Sequence, residues 1–136
     1  MNLLVIGSLN MDLVIKTERQ PKSGETIRGT DFVTVCGGKG GNQAIAAAKL
    51  GADVSMIGNV GDDDFGNMLV GNLKDEHIKV SGISKSEVSS GVAVINVFGN
   101  DNTIIVNSGA NGMLNRHHID KCKQMIMQCD AVLMQF

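Results

Sequence analysis

The sequence predicts an α/β fold built on a buried parallel sheet, and three observations carry that reading. Leu3-Leu4-Val5-Ile6 is a short continuous apolar run that stops at Gly7, as a strand buried on both faces does. Cys36-Gly37-Gly38-Lys39-Gly40-Gly41-Asn42-Gln43 runs straight into Ala44-Ile45-Ala46-Ala47-Ala48-Lys49-Leu50, a glycine loop opening onto a strong helix former. Val54-Ser55-Met56-Ile57-Gly58 then reads as a second sheet strand. A glycine loop at a helix N-terminus suits a small polar ligand, because the backbone can approach closely and its N–H groups point outward.

The remaining elements follow in order. The first strand leads into Ser8-Leu9-Asn10-Met11-Asp12, where an amide and a carboxylate two residues apart share one side of an extended chain. They stand at the C-terminal end of that strand, where open α/β sheets bind ligands; taken alone they read first as ordinary turn residues. Residues 13–16 and 26–35 read as strands joined by Thr17-Glu18-Arg19-Gln20-Pro21-Lys22-Ser23-Gly24, which holds the only proline. Asp63 or Asp64 can cap a helix running through Phe65, Met68, Leu69 and Leu73. The side chains of Asp62, Asp63 and Asp64 diverge, so capping is preferred to a metal cluster. Residues 91–98 and 103–106 form a hairpin around Gly99-Asn100-Asp101-Asn102. A last helix starts near Asn115 with an apolar stripe of Ile119, Cys122, Ile126 and Cys129, and residues 131–136 form a terminal apolar strand with no helix after it.

Two familiar phosphate loops fail on residue identity. A Walker A loop needs glycine where Val33 stands and Ser or Thr where Gly40 stands, and the dinucleotide fingerprint begun at Gly38 and Gly40 ends on Gln43. A plain strand-to-helix turn with Lys39 in solvent stays open for the bare loop. The net charge of −2, the absence of a basic cluster and an aromatic content of 3% argue against nucleic acid. The apolar start is too short for a signal sequence or a membrane span. Three cysteines, two of them on the helix stripe, read as reduced small hydrophobes, with Cys36 a structural thiol beside the glycine loop, and point to the cytoplasm.

Residues 7–12, the loop of residues 37–43, Gly58-Asn59-Val60-Gly61-Asp62-Asp63-Asp64-Phe65-Gly66 and Ser108-Gly109-Ala110-Asn111 resemble, in order and spacing, the PfkB-type carbohydrate kinases and their ribokinase branch. The resemblance spans the whole chain, and Gly-Gly-Lys-Gly-x-Asn-Gln is its specific part. It implies a ribokinase-like Rossmann-type parallel sheet with helices on both faces plus a small β-sheet lid, truncated. The lid strands fall at about 12–35 and 91–107, inserted in the α/β core. It also implies that Asn10, Asp12, Gly38, Lys39 and Asn42 bind sugar hydroxyls or close over a ribose-like pentose, while Ala93 and Ile95 press on its apolar face. The period-2 spacing of Ala93 and Ile95 permits that, but such alternation is more often plain core packing. An acceptor-only carboxylate beside amides suits hydroxyls that both donate and accept.

For the complete enzyme the resemblance implies transfer of the γ-phosphoryl group of ATP to the 5-hydroxyl of D-ribose, with Mg2+ and room for a monovalent cation. It admits a homodimer through the lid. Family members run to about twice this length, and the base, the anion hole and nearly all of the ATP site lie in the second half. No catalytic, cofactor-binding or metal-binding residue is therefore assigned here, and the 136-residue chain alone is expected to be inactive. A non-catalytic sugar-binding module, or part of a kinase for another sugar or a nucleoside, is the alternative. One departure is local: Arg116 and His117 replace the proline and reciprocal glutamate of the family's Thr-Pro-Glu helix start.

Overall fold

The computed structural model of the chain describes residues 1–135. Along it run β1 (Asn2–Ile6), β2 (Asn10–Thr17), β3 (Gly29–Gly37), α1 (Lys39–Lys49), β4 (Asp53–Gly61), α2 (Asp64–Asp75) and β5 (Lys79–Ser86). They are followed by β6 (Gly91–Phe98), β7 (Asp101–Asn107), a 3-10 turn (Gly109–Met113), α3 (Arg116–Lys121), α4 (Lys123–Gln128) and β8 (Ala131–Met134). One sheet is wholly parallel, in the order β5-β4-β1-β8. The other has the order β3-β2-β6-β7, two antiparallel hairpins joined by parallel pairing of β2 with β6.

The central strands β1 and β4 are covered on both faces, which is why β1 reads as an unbroken apolar run, while the edge strand β8 stays exposed. Val5, Val54, Met56 and Val60 cluster with Ala44 of α1 and with Leu69 and Leu73 of α2. Leu4, Ile6 and Ile57, the alternate positions, cluster with Ile119, Met125 and Ile126 of the C-terminal helices. Each such fully buried side chain contributes about 1.5–3 kcal/mol relative to exposure. Met11 joins the first cluster, with Leu13 and Cys36 packed against it, so the small sheet rests on the same core.

Several boundaries differ from expectation. The strand expected at 26–35 begins only at Gly29, since the Arg19–Glu25 ion pair (2.5 Å) and the Lys22 N–H to Glu25 Oε2 bond (2.8 Å) hold the preceding residues in a loop. The expected single C-terminal helix is two, because Cys122 at φ −95°, ψ 8° donates its N–H to the Ile119 carbonyl (3.0 Å), a 3-10 contact that interrupts the ladder. Its stripe survives the break: Ile119, Cys122, Ile126 and Cys129 all pack on Leu4, Ile6 and Ile57. Asn115 caps α3 as expected, and His118, one position beyond His117, closes the capping box. Asp63 caps α2 by accepting the Gly66 N–H (2.7 Å). The terminal strand ends at Met134, and Phe136 lies outside the described residues.

Candidate functional site

The glycine loop is first a docking device. Gly38 sits at φ 92°, and a Cβ there would stand 2.6 Å from the Ser8 carbonyl oxygen and 2.7 Å from Asn10 N. The N-terminus of α1 therefore lies directly against the short link from β1 to β2, where Gly41 N–H donates to the Ser8 carbonyl (3.1 Å). At Gly37 a Cβ would collide with the Asp12 carboxylate, so the loop and Asp12 are in direct contact. Asn42, exposed one turn into α1, donates its N–H to the Gly38 carbonyl (2.9 Å). Asp12 and Asn42 thus flank one loop from its two ends, and Lys39 stands exposed between them at the first helical position.

Asn10 is held by a residue more than one hundred positions away. Asn111, in the 3-10 turn, accepts the Leu9 N–H at Oδ1 (2.8 Å) and donates Nδ2 to the Leu9 carbonyl (2.9 Å). The same Nδ2 donates to Asn10 Oδ1 (2.8 Å). That bond fixes the Asn10 amide so that its nitrogen is the group left for a ligand. On the other flank, Ser8 Oγ donates to Gln135 Oε1 (2.7 Å), and the Gln135 N–H donates to the Ile6 carbonyl (2.9 Å).

Strand register supplies the rest. β2 opens at Asn10, so the amide–acid pair projects from the small sheet rather than from the end of β1. Asp12 pairs with Ala93 of β6, and Val14 with Ile95. Directly paired residues share a sheet face, so Asn10, Asp12, Ala93 and Ile95 lie on one face, together with Val33 and Val35 of β3 and Ile104 and Val106 of β7. A cavity of about 420 Å³ opens at the C-terminal end of the parallel sheet, lined among others by Ser8, Asn10, Lys39, Asn59, Asn111 and Gln135. Of the residues singled out from sequence it takes in Asn10 and Lys39; Asp12, Gly38, Asn42, Ala93 and Ile95 lie outside its lining.

Burial pushes the Asp12 carboxyl above its ordinary value of 3.8, and burial, helped by the Asp12 charge, pushes the Cys36 thiol up as well. Asp63 behaves oppositely. Burial works to raise its pKa, but donation from Ser90 N–H (2.8 Å), Ser90 Oγ (2.7 Å) and Gly66 N–H brings the net value below 3.8. Ser90 Oγ in turn accepts the Gly61 N–H (2.9 Å), tying the start of β6 to the mouth of α2. Among the described residues no three His, Cys, Asp or Glu side chains converge as metal ligands, and no helix is long and apolar enough to cross a membrane.

Sequence reasoning did not assign Ser8, Asn59, Asn111 or Gln135. Asn111 stood in the sequence only within the Ser-Gly-Ala-Asn motif, with no local signal of its bonds to Leu9. Asn59 carried a plainer signal, an amide interrupting the apolar run of β4.

Comparison with known proteins identifies the family. Residues 1–135 match the pfkB family carbohydrate kinases. The chain is 44% identical over 135 residues to the ribokinase of Bacillus subtilis, covering 98% of this chain and 46% of that protein. It is 41% identical over 137 residues to the deoxyribokinase of Salmonella typhi, covering 99% and 45%. Its fold superposes with a TM-score of 0.88 on the structure of Arabidopsis thaliana ribokinase complexed with ribose and ATP, at 33% identity over 98% of this chain and 44% of that one. The chain spans about half the length of the curated relatives it matches. A family match over essentially the whole chain, with the loop, the lid register and the covered parallel sheet all present, places this protein in the pfkB family of carbohydrate kinases.

Proposed function

We propose that this chain forms the N-terminal, sugar-binding part of an ATP-dependent carbohydrate kinase domain that transfers the γ-phosphoryl group of ATP to the 5-hydroxyl of D-ribose. The observation that carries the reading is the register of β2 with β6, which sets the Asp12 carboxylate beside Ala93 on one face and against Gly37 of the loop. A pentose held there donates hydroxyl protons to Asp12, receives a hydrogen bond from the Asn10 amide nitrogen and meets Lys39 and Asn42 at the mouth of α1. Its apolar face lies on Ala93 and Ile95. Each hydroxyl bond left unmade in a closed site costs about 1–3 kcal/mol, so a sugar lacking a contacted hydroxyl is discriminated against.

Phosphoryl transfer from ATP depends on positioning and charge neutralisation; Mg2+ would supply the neutralisation, with a monovalent cation as accessory. In this reading the chain's part is to bind and orient the sugar. The chain alone turns over no ATP. Titration of the purified protein with ribose, with Asp12→Ala as control, tests the binding; ATP-dependent ribose phosphorylation by the 136-residue chain would contradict the division of labour. The 41% identity to a deoxyribokinase favours 2-deoxyribose as the competing substrate, so a sugar panel belongs in the same experiment. The net charge of −2 and the reduced cysteines support a cytoplasmic protein without nucleic-acid partners.

The lid exposes Val33, Val35, Ile104 and Val106 on the Asp12 face and Phe32, Val94 and Ile105 on the other. Apolar exposure of this kind supports pairing of two lids into a homodimer. Sedimentation of the protein against Ile104→Glu tests it: a dimer that dissociates in the variant is expected, and a parent that stays monomeric at all concentrations ends the proposal.

A further inference from the structure

Asn59 is 1% exposed, and neither its Oδ1 nor its Nδ2 has a hydrogen-bond partner among the described residues. Buried side-chain amides in native proteins are nearly always bonded, so two orphaned atoms on one side chain call for a reason. The position sharpens the question. Asn59 lies two residues beyond Ile57 on β4, at the end of the strand face that Leu4, Ile6 and Ile57 use for the second core cluster, where a leucine would extend that cluster at no polar cost. It also belongs to the wall of the 420 Å³ cavity that holds Asn10 and Lys39. Gly7 and Gly112, in the same wall, put no side chain between it and the cavity.

We infer that Asn59 is a hydroxyl-binding residue of the sugar cavity: by a side-chain rotation its carboxamide offers one donor and one acceptor to a hydroxyl group of the ligand. The inference rests on the sugar reading above and adds to it a contact from the parallel sheet, opposite the lid. A hydroxyl is the matching group because it donates to Oδ1 and accepts from Nδ2, satisfying both orphans at once. Asn59 itself is shielded from bulk water, so an amide left unfilled discriminates against a ligand that lacks that hydroxyl.

The test uses the 136-residue chain with D-ribose and its monodeoxy derivatives, in parent, Asn59→Leu, Asn59→Ala and Asp12→Ala forms, reading dissociation constants and thermal midpoints. Asn59→Leu is expected to melt at or above the parent temperature while binding ribose about ten-fold more weakly, the size of one hydrogen bond to an otherwise unpaired partner. That loss should vanish for one monodeoxy sugar only, because the contact it removes is then already absent. If Asn59→Leu binds ribose like the parent while Asp12→Ala does not, the amide serves a trapped water and the inference falls with the sugar reading intact. If the parent binds no pentose, both fall. Should Asn59→Leu and Asn59→Ala both fail to fold, the amide belongs to the core and the inference is overturned as well.

Discussion

Replacing Asn111 with alanine is the sharpest test of how the site is built. The substitution removes the acceptor for the Leu9 N–H and the donor to the Leu9 carbonyl, and it releases Asn10 Oδ1. Leu9 is almost wholly buried, so its two backbone groups lose their partners where water reaches poorly. At about 1–3 kcal/mol for each buried orphan, and allowing water into the space left by the shorter side chain, the cost is about 2–4 kcal/mol. For a chain of this size that corresponds to a midpoint lower by roughly 10 °C. Asn115→Ala, which removes an exposed helix cap, is the comparison and should cost about 1 kcal/mol. Asn111→Asp keeps the acceptor for Leu9 but turns a carboxylate oxygen toward two other oxygens, so it should be no milder than alanine. Equilibrium denaturation and ribose titration of the three variants supply the numbers. An Asn111→Ala protein that melts within about 2 °C of the parent refutes the assignment of Asn111 as a backbone clasp.

Three further outcomes follow from the same geometry. Gly37→Ala pushes a methyl group into the Asp12 carboxylate, so ribose affinity should fall by an order of magnitude or more while the far-ultraviolet spectrum stays unchanged; unaltered affinity would separate Asp12 from the loop. The raised pKa of Asp12 means that the folded chain holds its proton more tightly than the unfolded one, so its ionisation weakens folding as pH climbs from 3.8 through the folded value. Asp12→Asn should therefore be neutral or stabilising at pH 7 yet poor at binding, and ribose affinity of the parent should fade as pH drops through a midpoint above 3.8, followed by titration calorimetry. Asp63 has the opposite sign: its bonds stabilise fully above 3.8 and are lost as pH falls through the lowered folded value. Asp63→Ala should cost about 2–3 kcal/mol in neutral denaturation curves, a difference that shrinks in acid.

The parallel sheet was legible because its central strands are buried on both faces, so Leu3 to Ile6 is unbroken and β4 keeps Val54, Met56, Ile57 and Val60 apolar around Ser55 and Asn59. The Asp63 and Asn115 caps were legible because their oxygens act on neighbours two or three residues away. What stayed hidden depends on distant pairing. Nothing local to Asp12 announces that Ala93 will be its partner, and nothing near Leu9 announces Asn111. The break at Cys122 was invisible for another reason: two helices phased by one 3-10 contact keep the same apolar stripe as a single helix. The family resemblance, rather than periodicity, supplied the seven candidate sugar-binding residues, and four of them lie on a single face of the small sheet.

The parallel pairing of β2 with β6 has a kinetic consequence. Each hairpin of the lid can zip up from its own turn within microseconds, but the strip that unites Asn10 with Gly91 requires closure of a loop containing most of the chain, and long-range pairing of that sort slows folding. The ligand cradle is thus assembled late, after the sheet strands and helices that flank it. A pentose present during refolding would find nothing to grip at early times and should retard unfolding far more than it hastens folding.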